Sequence, residues 1–495
     1  MSDPFMIDQE QFRTPLFDAM VTLAESRKVS FHTPGHKSGK GISTRFRKFV
    51  GPKIFSIDLT TLDEVDSLQQ PKGVIKESQK LAARAYGAER SFFLLNGTSG
   101  GNHAMMLASC QPKDQVLIAR NAHKSVLAGL IFSGANPVFF SPAIDKDLKL
   151  TLNVTAEDTR AAVDANPQAK ALILTSPNYY GIAADLEEII PYAHKKGLMV
   201  LVDEAHGPHL SFHPGLPISA MDAGADLSVQ STHKIIGGMT QASMLHARGK
   251  RIDMAALATA IRFIQSTSPS YILMASLDLA RMQMATEGEK LLEKTIQLAE
   301  EARSRINRIP RLFCFGHDTL RNPGEKRNFD VTKLTISVRD LGLSGYRVSR
   351  ILNNDYHIQV EMADPSNILV IVSIGDRQDD LNRLVEALRD ISKKHFRTRL
   401  PEILSAEIGL PPFGNPTGIT PREAYFKAHE PVPLEKACGA VCNEIVTVYP
   451  PGIPLLVPGE IITPEVINYI RKMDRLGATI DGLDPSGNSL SVVKD

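Results

Sequence analysis

The chain has 495 residues, of which 43% are hydrophobic and 22% are charged. That balance is ordinary for a soluble globular protein and leaves room for two or three domains. The formal net charge of +1 provides no overall field that would attract nucleic acid or an anionic membrane, so neither is an expected partner.

Two further features bear on location. No stretch offers the roughly 18 apolar residues that span a bilayer, and the first residues lack the basic and apolar regions of a signal peptide. Four scattered cysteines suit reduced thiols, so we expect a cytoplasmic protein. Cys438 and Cys442 lie four apart, but no second Cys/His pair lies nearby, and we predict no metal at them.

From about residue 90, short apolar runs alternate with helical stretches. The predicted strands are SFFLLNG, DQVLIAR, NPVFFSP, KALILTSPN, LMVLVDEAH and ADLSVQSTH. The predicted helices between them are TSGGNHAMMLASC, AHKSVLAGLIFSG and DLEEIIPYAHKKG, the last with Asp185 as N-cap and Gly197 just past its end. Continuous apolar strands separated by helices predict an α/β fold with a mostly parallel sheet covered on both faces. Ligands of such sheets bind outside the carboxyl ends of the strands.

The pattern changes near residue 310. Shorter strands and helices predict a smaller α+β unit, which ends before the Pro/Gly-rich stretch IGLPPFGNPTGITP. We therefore predict an N-terminal segment plus large domain over 1–310, a small α+β domain over 311–400 and a C-terminal domain over 401–495.

A glycine-rich segment follows the first predicted strand and enters a helix. It reads Gly97, Thr98, Ser99, Gly100, Gly101. Small residues let backbone N–H groups approach an anion, and a helix N-terminus adds positive potential. The segment therefore favours a phosphate site, with a helix cap by Thr98 or Ser99 as the alternative.

A carboxylate and a lysine follow two further strands. Asp203 ends LMVLVD, and Lys234 stands 31 positions later, directly after Ser231, Thr232 and His233. Pyridoxal phosphate needs all three parts: a lysine for its Schiff base, an anion for its ring nitrogen and donors for its phosphate. When a lysine is bound to the cofactor as an imine, most of the free-energy cost of burying that lysine disappears.

A metal centre is the rival interpretation of the same region. Asp203, His206, His209 and His213 have a spacing that could gather ligands. The segment lacks the HExxH pattern, and a metal would leave Lys234 unexplained.

With these residues in view, the chain resembles the bacterial lysine/ornithine/arginine decarboxylases, which have PLP fold type I, the aminotransferase-like fold. The resemblance covers nearly the whole chain, in the family's order. Its motifs are FHTPGHKSG, NGTSGGN, NAHKS, SPNYYGIAADL, LVDEAHG, QSTHKIIGGMTQAS and YPPGIPLLVPGE. PGHK begins at residue 34, so the chain is similar to the short, biosynthetic-type members and not to those with an N-terminal wing domain.

The resemblance implies roles at the matching positions. Lys234 would form the Schiff base, Asp203 would hold the ring nitrogen, His123 would stack on the ring face and His206 would lie near the ring hydroxyl. Without the resemblance, His123 is more simply a structural histidine. The implied phosphate or ring contacts are Gly97, Thr98, Ser99, Ser231 and His233.

The segment QSTSPSY is similar to one that reaches the phosphate of a neighbouring subunit. Its residues Thr267 and Ser268 would then complete the partner's site. The resemblance therefore implies a homodimer or higher homo-oligomer with shared active sites.

The implied reaction is decarboxylation of a basic amino acid, most simply arginine to agmatine plus carbon dioxide in polyamine biosynthesis. Lysine and ornithine are the alternative substrates. A distal cation needs an anion in the pocket, and the candidate carboxylates are Glu460, Asp63, Glu64 and Asp66. Solvated loop residues and, for Glu460, a cap are the simpler interpretations.

Fold alone does not separate a decarboxylase from an aminotransferase or an aldolase. A catalytically inactive regulatory paralogue is a further alternative. Such a paralogue would be marked by loss of Lys234 or Asp203, and both are present.

Overall fold

The computed structural model describes residues 8–26, 28–145, 150–317, 328–395, 412, 414–449 and 452–494. The first helices are α1 (Pro15–Glu25), α2 (Thr44–Val50) and α3 (Val74–Ala85). Among the described helices, none is both long and apolar enough to cross a bilayer.

A seven-stranded sheet forms the centre of the large domain. The first nine strands are β1 (Arg90–Leu94), β2 (Gln115–Ala119), β3 (Asn136–Phe140), β4 (Ile144–Asp145), β5 (Leu150–Thr151), β6 (Ala171–Thr175), β7 (Met199–Asp203), β8 (Leu227–Gln230) and β9 (Ser243–Ala247). The sheet has the order β1-β9-β8-β7-β6-β2-β3, and β4 pairs with β5 separately. Only β9 runs antiparallel to its neighbours in this sheet. The six predicted strands and the mostly parallel sheet are confirmed, and β9 was not predicted.

Helices cover both faces of this sheet. They are α4 (Gly97–Ser109), α5 (Lys124–Ser133), α6 (Ala156–Ala165), α7 (Leu186–Lys195), α8 (Thr232–Ile235), α9 (Met254–Ile264) and α10 (Tyr271–Ile306). One buried apolar cluster joins the sheet to α4, α5 and α9, and another joins it to α6 and α7. The three predicted helices are confirmed as α4, α5 and α7.

The ends of α7 show how the sequence sets a helix boundary. Gly197 lies just past the end with a φ of +85°, which the absence of Cβ permits. Asp185 occupies the N-cap position, but its side chain makes no capping bond. One of its oxygens accepts from the backbone N–H of Ala156 at 3.3 Å, so this carboxylate ties α7 to α6.

Helix α4 lies unusually close to the sheet. A Cβ at Gly101 would stand 2.2 Å from Cγ2 of Val229 and 2.8 Å from Cδ1 of Leu94, which no packing could accommodate. This glycine therefore serves contact between helix and sheet. Packing thus accounts for the missing Cβ, so Gly101 adds no support to the predicted phosphate site, which stays a prediction.

The remaining chain forms smaller sheets. Strands β10 (Phe313–Cys314), β11 (Lys333–Ser337), β12 (Met362–Ala363) and β13 (Asn367–Ile371) form an antiparallel sheet with α11 (Gly345–Tyr356) and α12 (Gln378–Lys394). The last elements are α13 (Pro421–Phe426), β14 (His429–Pro433), β15 (Val446–Tyr449), β16 (Ile453–Leu456), α14 (Pro464–Leu476), β17 (Thr479–Asp481) and β18 (Ser489–Val493). The boundaries at 310 and 400 stay predictions, and part of the predicted linker lies outside the described residues.

Candidate active site

The carboxyl ends of β7 and β8 bring the two central residues to one edge of the sheet. Asp203 is the last residue of β7 and is 2% exposed. Lys234 lies on α8, the short helix that follows β8. Because β7 and β8 are parallel neighbours, the segments that leave their ends start side by side.

The Lys234 amine faces a histidine. Its Nζ lies 3.0 Å from His206 Nε2 and 5.8 Å from the centre of the Tyr179 ring. Burial lowers the pKa of Lys234, while the charges of Asp203 and Glu361 oppose that shift. A lowered pKa increases the fraction of neutral amine, which is the nucleophilic form.

His206 is buried beside this amine. Its ring centre lies 4.8 Å from that of Tyr179, and its Nδ1 has no hydrogen-bond partner among the described residues. Burial lowers the pKa of His206 well below its ordinary value, and the charges of Lys234 and Lys333 lower it further. Both effects favour the neutral imidazole, whose Nε2 can accept a hydrogen bond from Nζ.

Hydrogen bonds hold the Asp203 carboxylate in place. Oδ2 accepts from Nδ2 of Asn102 at 2.8 Å, and Oδ1 accepts from the backbone N–H of Ala205 at 3.2 Å. His123 is half-buried at the start of α5, with Nδ1 2.8 Å from Ser125 Oγ. Burial lowers the pKa of His123, against the charge of Asp203.

The predicted phosphate contacts also come together. Helix α4 begins at Gly97, with Thr98 and Ser99 in its first turn. Thr98 Oγ1 lies 3.1 Å from Ser231 Oγ, so hydroxyls from two separate segments are neighbours at this helix N-terminus. His233 follows Ser231 closely and is held by a 3.0 Å bond from Nδ1 to a backbone carbonyl. That a phosphate binds here stays a prediction.

The structure separates the residues of the rival metal centre. Of the three histidines after Asp203, the first faces the lysine. His209 Nε2 instead lies 3.2 Å from Asp330 Oδ2, and His213 Nε2 lies 3.0 Å from Glu293 Oε2. Across the part of the chain that the structure describes, no group of three or more His, Cys, Asp or Glu side chains is placed to hold a metal ion.

Glu460 forms a buried ion pair. Its Oε2 accepts from Arg120 at 2.8 Å, from Asn415 at 3.3 Å and from the backbone N–H of Val457 at 2.9 Å. Burial raises the pKa of Glu460 and lowers that of Arg120, each shift being opposed by the partner charge. Glu460 thus has a partner within the chain through Oε2, and its role as a substrate anion stays a prediction.

We expect Glu460→Gln to lower the free energy of unfolding by about 3–5 kcal/mol, because it leaves the Arg120 guanidinium buried without its counter-charge. Denaturant unfolding measures the loss. The control is the double variant Arg120→Met, Glu460→Gln, which should recover much of that stability. Equal stabilities of the wild type and the single variant would contradict a stabilising role for the pair.

The other acidic candidates have local partners or face solvent. Asp63 and Glu64 are exposed, and Glu64 pairs with Lys28. Both oxygens of Asp66 accept from backbone N–H groups of residues 67–73, so this carboxylate shapes a turn. No described contact joins the three to Lys234, and their role with substrate stays a prediction.

Thr267 and Ser268 lie between α9 and α10 and are exposed. Phe263, close to them in sequence, is 79% exposed. The contact of this segment with a partner's site stays a prediction.

Four residues near the site were not predicted. Asn102 and Ser125 lie inside the motifs NGTSGGN and NAHKS, and Tyr179 lies inside SPNYYGIAADL, so only their membership in these motifs singled them out. Glu361 is exposed, and its charge opposes the burial that lowers the pKa of Lys234 and of His233. No sequence pattern marked it.

Comparison with known proteins identifies the family. A model described as "Orn/Lys/Arg decarboxylase, major domain" matches residues 14–380. A second, "Orn/Lys/Arg decarboxylase, C-terminal domain", matches residues 416–491. The chain is 42% identical to an arginine decarboxylase of Bacillus anthracis over 98% of each chain, and 43% identical to one of Bacillus subtilis, also over 98% of each.

Solved structures show the fold. The lysine decarboxylase of Francisella novicida superposes with a TM-score of 0.86 at 23% identity, over 98% of this chain and 82% of that one. An alanine–glyoxylate aminotransferase of Nostoc gives a TM-score of 0.53 at 17% identity, over 66% of this chain and 88% of that one. The predicted PLP fold type I class is therefore confirmed. The chain belongs to the Orn/Lys/Arg decarboxylase family and is an amino-acid decarboxylase.

Proposed function

We propose that this protein decarboxylates L-arginine to agmatine and carbon dioxide, with pyridoxal phosphate bound at Lys234. The observation that carries the substrate is the 42–43% identity to arginine decarboxylases over nearly the full length of both chains. An inducible lysine decarboxylase of Escherichia coli is only 25% identical. Membership in the decarboxylase family argues against the aminotransferase and aldolase alternatives. The presence of both Lys234 and Asp203 argues against an inactive paralogue.

The residues at the sheet edge fit this cofactor. Lys234 offers an amine that, among the described residues, meets one hydrogen-bonding side chain, His206. Asp203 offers a buried carboxylate, and the first turn of α4, with the hydroxyls of Thr98 and Ser231, offers donors for an anion. When bound, pyridoxal phosphate supplies an electron sink for the electron pair that carbon dioxide leaves at Cα.

Lys234 and His206 are the residues that control the proton on the reacting amine. Nζ must lose a proton before it can bind the cofactor's aldehyde carbon covalently. Neutral His206, 3.0 Å away, can accept a hydrogen bond from Nζ and so hold the amine in place. With substrate bound, the Lys234 amine, hydrogen-bonded to His206, would be the donor of the proton returned to Cα.

Asp203 acts on the other end of the ring. Its carboxylate would hold a proton at the ring nitrogen by charge and hydrogen bonding, which would make the ring a better electron acceptor. Its two hydrogen bonds fix the direction of the carboxylate, so little reorganisation is needed during the reaction. His123 would contact the bound ring and help to exclude water from it.

The assay that tests the proposal compares arginine, lysine and ornithine with the purified protein and identifies each amine product. We expect kcat/KM for arginine to exceed that for lysine by at least about tenfold, or about 1.4 kcal/mol. A guanidinium meets a carboxylate through two parallel hydrogen bonds, which an ammonium does not reproduce. A preference for lysine or ornithine, or no released carbon dioxide, would reject the arginine assignment.

We also propose a homodimer with shared sites, in the cytoplasm. Thr267 and Ser268 are exposed, and nearby Phe263 is 79% exposed; Phe31 and Phe49 are 93% and 88% exposed. Such aromatic side chains are typical of surfaces covered by a partner. The four cysteines are all free, in keeping with a reducing compartment.

Complementation tests the shared site. Mixing Lys234→Ala protein with Thr267→Ala, Ser268→Ala protein should restore up to about a quarter of wild-type activity, because half the random dimers are hybrids with one intact site each. In the control mixture of Lys234→Ala with Asp203→Asn, both lesions fall in the part of the site that one subunit supplies, so no hybrid gains an intact site. Failure of the first mixture to recover, with subunit exchange verified, would argue against a shared site.

A further inference from the structure

A chain of hydrogen bonds connects Asp203 and His123, which the proposed function assigns to the ring nitrogen and the ring face of the cofactor. Asn102 Nδ2 lies 2.8 Å from Asp203 Oδ2 and 2.8 Å from Ser125 Oγ, and Ser125 Oγ lies 2.8 Å from His123 Nδ1. Asn102 is 1% exposed and Ser125 is 4% exposed, so water does not compete for these bonds. We propose that Asn102 and Ser125 are positioning residues that fix the Asp203 carboxylate and the tautomer of His123 together.

The identity of the acceptor sets the direction of each bond. The Asp203 carboxylate can only accept, so the Asn102 side chain must present its N–H₂ group and not its oxygen. One N–H of that group goes to Asp203 and the second goes to Ser125 Oγ. Asn102 Oδ1 is buried without a hydrogen-bond partner among the described residues. This orientation therefore carries the free-energy cost of one unsatisfied acceptor.

The hydrogen of the Ser125 hydroxyl group bears on whether His123 Nδ1 carries a proton. The backbone N–H of Ser125 donates to His123 Nδ1 at 3.2 Å, so this nitrogen is an acceptor. The Ser125 O–H, with Oγ 2.8 Å from the same nitrogen, is therefore directed to it as well. With two donors facing it, Nδ1 carries no proton, so His123 is a neutral imidazole protonated at Nε2. Burial, which lowers the pKa of His123, favours the same neutral form.

The first test measures the tautomer directly. Full-length protein labelled with ¹⁵N-histidine is studied by long-range ¹H–¹⁵N NMR, before and after addition of pyridoxal phosphate, with His123→Gln to assign the signals. We expect an unprotonated Nδ1 and a protonated Nε2. This readout requires neither substrate nor cofactor, so it stands even if the proposed function, on which the role in catalysis rests, is wrong. A protonated Nδ1 in the neutral wild-type ring would overturn the proposal.

The second test removes each link in turn. Ser125→Ala should raise the pKa of His123 and produce a mixture of tautomers, because the neutral form loses a donor at Nδ1. Asn102→Ala should lower kcat about tenfold with KM within about twofold of wild type, because Asp203 loses one of its two hydrogen bonds. Asn102→Asp should be worse, since it sets a like charge beside Asp203.

A matched control separates positioning from stability. Asn443 is also buried and donates from Nδ2 to a backbone carbonyl at 2.6 Å, but it lies between α13 and β15, in the C-terminal part of the chain. Asn443→Ala should lower the melting temperature and leave kcat and the His123 signals unchanged. The proposal is wrong if Asn102→Ala keeps kcat within twofold of wild type, or if Ser125→Ala leaves the pKa and tautomer of His123 unchanged. In either case, the hydrogen-bond chain does not position Asp203 and His123.

Discussion

Lys234→Arg is expected to lower kcat by at least about 10⁴-fold, because a guanidinium keeps the positive charge but has no free amine to bind the cofactor covalently. Steady-state rates with arginine measure this loss. A second readout does not depend on activity. In Lys234→Ala, the pKa of His206 should rise towards its ordinary value, since the Lys234 charge contributes to lowering it.

The control for Lys234 is Lys124→Arg. Lys124 is exposed next to His123 and pairs with Asp481 on the surface, so its replacement should leave kcat unchanged. If Lys234→Arg retained more than about a hundredth of the wild-type kcat, the covalent role would be untenable.

Asp203→Asn should lower kcat by about 10²–10³-fold while the protein still binds pyridoxal phosphate. The ring nitrogen loses the anion that holds its proton, so the loss falls on the chemical step, and KM should change little. The Asp203→Asn variant also loses hydrogen-bonding energy within the site. Both oxygens of Asp203 face donors, Asn102 and the Ala205 N–H, so either orientation of an amide sets its N–H₂ group against one of them.

The matched control for Asp203 is Asp226→Asn. Asp226 is also buried at this sheet and accepts from the backbone N–H of Val200 at 2.8 Å, with His194 at the same distance. Asp226→Asn should reduce stability without a comparable loss in kcat. Equal losses in kcat for the two variants would indicate that Asp203 acts through folding alone.

Much of the sheet was predictable because its strands are buried on both faces and are bounded by polar turns. KALILTSPN and LMVLVDEAH became β6 and β7 for that reason. The helix α10, which spans 36 residues, was not predicted. It contributes to three separate apolar clusters, so no single stripe of apolar residues runs along it.

The central site was predictable from a topological rule. Asp203 and Lys234 follow strands that end at one edge, and their meeting required only a parallel sheet. The partner of Glu460 was not predictable, because Arg120 lies 340 positions away and no local pattern connects them. The same holds for Asn102, whose amide meets Asp203 only after α4 packs on the sheet through Gly101.

The most direct test of the account is to find which lysine carries the cofactor. The protein is loaded with pyridoxal phosphate, reduced with borohydride, digested and mapped by mass spectrometry. We expect the pyridoxyl group on Lys234, in the peptide that contains STHK. Lys234→Ala protein should carry none. A label on another lysine, or no label on wild-type protein that has bound the cofactor, would contradict the account.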